Sequence, residues 1–136
     1  MRVLFCCLFL CVIPSASHSQ KCSYRTDGPM YAPFGHEVLV MKGSTVRSIE
    51  GKVFDPTGLP LSEATVVLVR IDGEERKYIG STLTIEGGRY CFGIMPDGRY
   101  RLEIGASGFN AMQVPLTVSS RSTVSGPKKI ILPVGT

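Results

Sequence analysis

Tryptophan is absent from the 136 residues, histidine occurs only at His18 and His36, and no long apolar run is present. Each scarcity excludes something. A membrane-crossing helix needs about 20 apolar residues, whereas the longest run, Val3 to Ile13, has eleven. Without tryptophan the chain lacks the largest aromatic face for stacking on sugars or bases. One imbalance is also missing: 15 basic and 11 acidic side chains give a net charge of +4, with the basic residues scattered. That is no nucleic-acid footprint, and the Lys128-Lys129 doublet reads as a solvated strand end. With 43% hydrophobic residues the chain carries enough apolar side chain to fold, and its length suits one domain.

The apolar run has an address. Arg2 precedes it, Pro14 breaks it, and Ser15, Ala16, Ser17 and Ser19 follow. That order predicts a secretory signal peptide over residues 1–19, cleaved near Ser19. Cys11 and Cys22 lack the small residues that precede a lipid-modified cysteine. The expected product is exported, secreted or periplasmic, with no membrane span and 14 basic against 11 acidic side chains. Three of the five cysteines leave with the segment, so Cys22 and Cys91 remain. In an oxidising compartment they have one possible connectivity, a Cys22–Cys91 disulfide, and the alternative is two unpaired thiols. Two cysteines with His36 do not fill a tetrahedral site, so neither metal nor cofactor is expected.

No helical period is present in the rest. Residues 20–44 read as an irregular leader rich in proline and glycine, with a first strand at Glu37–Met41. Residues 45–136 read as one domain of short β-branched segments between turns. Thr45–Phe54 ends at the type I turn Asp55-Pro56-Thr57-Gly58. Ala64–Ile71 is apolar on both faces for most of its length, as for a strand covered on each side. Tyr78–Ile85 follows the Asp72-Gly73 turn, and in Tyr90–Met95 the residues Tyr90, Phe92 and Ile94 share the inward parity. Cys91 then faces outward, where a bridge would staple the leader across the sandwich. After Pro96-Asp97-Gly98, Tyr100, Leu102, Ile104 and Ala106 alternate with Arg99, Arg101 and Glu103, predicting one buried and one wet face. Met112–Val118 and Lys129–Val134 complete an all-β, antiparallel Greek-key sandwich of seven or eight strands.

Gly51-Lys-Val53-Phe-Asp55-Pro-Thr-Gly58-Leu-Pro60-Leu61-Ser-Glu-Ala64-Thr-Val66-Val-Leu68 resembles the opening signature of carboxypeptidase regulatory-like domains. Gly88-Arg-Tyr90-Cys-Phe92, Pro96-Asp-Gly98-Arg-Tyr100-Arg-Leu102 and Ala106-Ser-Gly108-Phe109 continue it. The resemblance spans Thr45 to Val134 and implies a transthyretin-like (prealbumin-like) sandwich related to collagen-adhesin B-type repeats. These are fold residues, so it implies an architecture more firmly than an activity.

The chemistry of relatives can be tested against the residues. Hydroxyisourate hydrolases use several histidines and a C-terminal Tyr-Arg-Gly-Ser, whereas this chain ends Leu132-Pro-Val-Gly-Thr136. Intradiol dioxygenases hold iron with two tyrosines and two histidines, more histidine than the exported chain would keep. The isopeptide lysine and acid of adhesin repeats correspond to Val53 and Ile104, and the sole asparagine, Asn110, is displaced from the last strand. Where relatives bind calcium this chain has Thr84-Ile85-Glu86, and isoleucine cannot ligate it. No catalytic residue is therefore assigned. The expectation is an exported, non-enzymatic module for protein–protein or cell-envelope interaction. Its alternatives are an extracellular carbohydrate-binding accessory module, with Tyr78 and Phe109 as candidate binding surface, and, more remotely, a small transthyretin-like hydrolase. Loops 55–62, 72–77, 96–98 and 107–110 are the expected ligand-presenting segments.

Overall fold

The computed structural model describes residues 22–31 and 38–135; the expected signal segment and His36 lie outside the described residues. Among the described residues ten strands run in chain order as β1 (Val38–Val40), β2 (Ser44–Val46), β3 (Ser48–Phe54), β4 (Thr65–Asp72) and β5 (Glu75–Leu83), followed by β6 (Arg89–Ile94), β7 (Gly98–Gly105), β8 (Ala111–Val118), β9 (Ser125–Gly126) and β10 (Lys129–Ile131). They form two sheets. The large one has the order β1-β8-β7-β4-β5, with β2 also beside β8, and the small one has the order β10-β3-β6, with β9 beside β3. Among the described residues no helix is long and apolar enough to cross a membrane.

The sheets are mixed rather than purely antiparallel. The long ladders β4–β5, β4–β7, β7–β8 and β3–β6 are antiparallel. The short strands β1 and β2 lie parallel to β8, and β9 and β10 lie parallel to β3. Parallel neighbours cannot be joined by a tight hairpin, and each of these strands comes from a distant stretch of chain. The single strand expected over Thr45–Phe54 is divided: Val46 pairs in the large sheet, and after Arg47 the chain enters the small one. Val46 and Ile49 are both buried although three residues apart, so the alternation shifts by one residue where the chain crosses between the sheets.

The core lies between the layers. Ile49, Val53, Tyr90, Phe92 and Ile130 face it from the small sheet, and Val66, Leu68, Leu102, Ile104 and Val114 from the large one. In β4 the other parity is buried too, at Thr65, Val67 and Val69, consistent with a strand covered on both faces. Two parity expectations fail. Ile94 is exposed and Met95 is buried, because β6 carries an extra residue opposite Ile49/Glu50 and Gly93 adopts a left-handed φ of 84°. A bulge of this kind reverses every later side chain. The expected wet face of β7 also closes: Arg99 is exposed and Arg101 half-buried, but Glu103 is buried. Glu103 sits mid-sheet between Val67 and Gln113, and Arg76 of β5 and Arg101 both donate to its Oε1, Arg101 at 2.9 Å. Burial of a carboxylate is tolerable when it is so paired.

The leader is tied to this framework. Tyr24 packs on Phe92 with ring centroids 5.2 Å apart, over Gly80, where a side chain would strike the ring. Arg25 then exchanges two backbone hydrogen bonds with Ser81 at the rim of β5, at 2.7 and 2.8 Å. Disulfide-bonded Cys22 and Cys91, with Cα atoms 5.3 Å apart, fix its start to β6.

Candidate binding groove

The outer face of the small sheet is built by register. Glu50 lies opposite Cys91 and Lys52 opposite Arg89 on this face, while Gly51 and Tyr90, paired between them, face inward. On the other side of β3, Lys129 lies opposite Lys52. Paired residues share a face, and Val53 and Ile130, one position along, are buried. Lys129, Lys52 and Arg89 therefore form one cross-strand row of exposed cations. Among the described residues none of them, nor the adjacent Lys128, forms an ion pair. Lys129 rests instead over the Phe54 ring, with Nζ 5.6 Å from its centroid.

This face is concave. A groove of about 670 Å³ has β3 and β6 as its floor, Cys22, Ser23 and the end of β5 on one side, and Ser125 and Lys128 on another. Leu83 and Ile85 line it while 54% and 59% exposed. Gly51 in the floor is required by close approach, since a Cβ there would meet the Pro127 carbonyl and the Tyr90 hydroxyl. That hydroxyl donates to the Pro127 carbonyl at 2.7 Å. Burial, reinforced by the Glu50 charge, raises the Tyr90 phenol above the ordinary tyrosine range, so it remains a neutral donor.

Cys22, Glu50 and Cys91 bring their donor atoms within 4.8 Å of one another. As a disulfide the two sulfurs offer no thiolate, the form that binds metal. A second concavity of about 410 Å³ lies over β7 and β8, with Arg99, Arg101 and Thr117 among its lining residues. Arg101 Nε is buried without a hydrogen-bond partner, although its Nη2 serves Glu103.

Tyr78 and Phe109 stand apart from the groove. The half-buried Tyr78 has its hydroxyl 3.3 Å from both the Arg25 carbonyl and Ser81 Oγ. Phe109 packs against the core and pairs with Val134. The expected ligand loops do not converge either. Thr65 pairs with Gly105, which places loops 55–62 and 107–110 at one end, and Ile71 pairs with Arg99, which places the β4–β5 turn and 96–98 at the other. Most of segment 72–77 is strand, since β5 begins at Glu75. The 55–58 turn closes as expected, with Gly58 N–H donating to the Asp55 carbonyl at 3.1 Å. The hydrogen bond from the Thr57 hydroxyl holds the Asp55 carboxyl below its ordinary range, assisted by the Leu59 and Thr57 backbone N–H groups.

The family model described as carboxypeptidase regulatory-like domain matches residues 48–126. No curated protein matches the sequence significantly. Among solved structures, transthyretin from Sparus aurata is 15% identical, with a TM-score of 0.46, over 55% of this chain and 78% of its own. The 5-hydroxyisourate hydrolase of Klebsiella pneumoniae is 22% identical, with a TM-score of 0.43, over 65% and 87% respectively. Catechol 1,2-dioxygenase from Pseudomonas arvilla C-1 is 16% identical, with a TM-score of 0.46, over 81% of this chain and 62% of its own.

Proposed function

The chain belongs to the carboxypeptidase regulatory-like domain family, and on that premise we propose that it is an exported, non-enzymatic interaction module. It would present the outer face of its small sheet to a protein or cell-envelope partner. The groove carries this reading: it combines concavity, exposed apolar side chains and unpaired charge on a rigid floor. Its titratable groups are lysines, an arginine, Glu50 and the hydrogen-bonded Tyr90, with no nucleophile set beside a base. The disulfide supports export, since such bonds persist in oxidising compartments.

A photoreactive group placed at Leu83→Cys tests this directly, with Thr117→Cys on the large-sheet face as the control. Exposure of each labelled protein to its native envelope or medium should give a discrete adduct from position 83 and none from 117. Equal labelling from both positions, or none from 83, rejects the groove. Saturable sugar binding lost on replacing Tyr78 or Phe109 would instead support the carbohydrate module, and hydroxyisourate turnover the hydrolase.

A further inference from the structure

Taking the groove as the interaction surface, we infer that its partner is an extended acidic protein segment carrying at least one apolar side chain. The cation row is the first reason. Like charges directly opposite one another in a sheet destabilise it, and Lys52 and Arg89 in the groove, with Lys129 beside it, do this across three strands, none of them in an ion pair among the described residues. An anionic occupant reverses that repulsion. Strands lie about 4.8 Å apart, so the row spans about 10 Å. Two carboxylates on the same side of an extended peptide, at positions i and i+2, lie about 7 Å apart and fall between neighbouring cations.

The apolar lip is the second reason. Leu83 and Ile85 flank the row and are more than half exposed, which a bare anion or polyphosphate would leave wet. A polypeptide is favoured over an acidic polysaccharide by what the floor offers. Of the residues lining it the one aromatic is Tyr90, which is 3% exposed with its hydroxyl already committed, and the nearby Phe54 ring lies under Lys129, so no flat face is free for a sugar. Glu50 gives the site direction. It stands beside the disulfide, its Oε2 3.7 Å from Cys91 Sγ, and turns acidic side chains toward the Lys52–Arg89 end.

The probe is a fluorescein-labelled peptide, Gly-Glu-Ala-Glu-Ala-Leu-Gly, titrated against the mature, disulfide-intact protein by anisotropy at low salt. Saturable binding is expected, weakened at least about tenfold in Lys52→Gln/Arg89→Gln and about threefold in Leu83→Ser/Ile85→Ser. Replacing glutamate by glutamine in the peptide should abolish binding, and added salt should weaken it. Lys129→Gln alone, with a smaller loss, keeps the test open if the double variant does not fold. Peptide binding unchanged in every lysine and arginine variant, or no peptide binding at all, overturns the proposal. Binding of alginate without the peptide overturns it in favour of an anionic glycan. A cross-link at position 83 together with no peptide binding refutes only this partner chemistry. Loss of both refutes the groove itself.

Discussion

On the outer face of the large sheet, Arg76 and Arg101 converge on one buried carboxylate, that of Glu103. On the outer face of the small sheet, Lys129, Lys52 and Arg89 line up with no ion pair among the described residues. The two faces use the same kind of side chain under different constraints. Glu103 lies in β7, flanked by β4 and β8, and its charge needs both guanidiniums once water is removed. Lys52 is also mid-sheet, but its face stays solvated, so repulsion with its neighbours is screened and cheap. Paired cations here belong to the architecture, and the unpaired ones are those the proposed partner would engage.

The largest effect should come from stripping the large-sheet face. Arg76→Ala/Arg101→Ala leaves Glu103 buried and uncompensated, and urea unfolding should show a loss of about 3–5 kcal/mol. A loss under about 1 kcal/mol would mean that this network is no more structural than an ordinary surface pair. Next, Cys22→Ser/Cys91→Ser opens a loop with a sequence separation of 69 and loosens one wall of the small-sheet groove. Chain entropy puts its cost at about 4 kcal/mol, read from the same denaturation experiment. By contrast, Lys52→Gln/Arg89→Gln should leave stability unchanged or raise it by a few tenths of a kcal/mol, because it removes a repulsion. If it destabilises as much as the Arg76/Arg101 pair, the distinction between the faces collapses.

The smallest effect belongs to neither face and calibrates both. Asp55, part-exposed just beyond β3, is held below its ordinary range by the Thr57 hydroxyl. A depressed carboxyl contributes stability above its unfolded pKa of about 3.9 and loses it as pH falls through the lower native value. Asp55→Ala should therefore be measurably less stable than the parent at pH 7. The two unfolding midpoints should converge as the pH falls below 3.9. A gap that stays constant to pH 2 would show that the Asp55 charge is not involved.

Much of the fold was legible locally. The Ala64–Ile71 stretch, apolar on both faces for most of its length, predicts a strand covered on both faces, and the 55–58 turn closes as its residues predict. The failures share a cause, namely that register is not written within one segment. At Arg47 the one mark of the passage between sheets is the three-residue step from Val46 to Ile49, which a single segment does not separate from an ordinary irregularity. Gly93 gave no warning that it would reverse Ile94 and Met95. The cation row was less visible still: residues 52, 89 and 129 meet only once β3 lies between β6 and β10. Along the chain the Lys128-Lys129 doublet is the only basic one near the C-terminus, and it reads as a strand end. Glu103 likewise passed for a solvated residue because the arginine that helps to bury it, Arg76, belongs to another strand.

The two hydrogen bonds between Arg25 and Ser81 bear on how the molecule behaves in a crowd. β5 is the last strand of the large sheet, and a bare strand edge is a template onto which another chain can add. Here part of that edge is occupied by the protein's own leader, a segment of too few residues to hold its place by pairing alone and moored to β6 by the Cys22–Cys91 bond. Protection of the sheet against its neighbours is therefore delegated to a covalent link made in the opposite sheet. Reducing conditions would turn a covered edge into an open seam, and self-association should rise with the fraction of protein in which that link is broken.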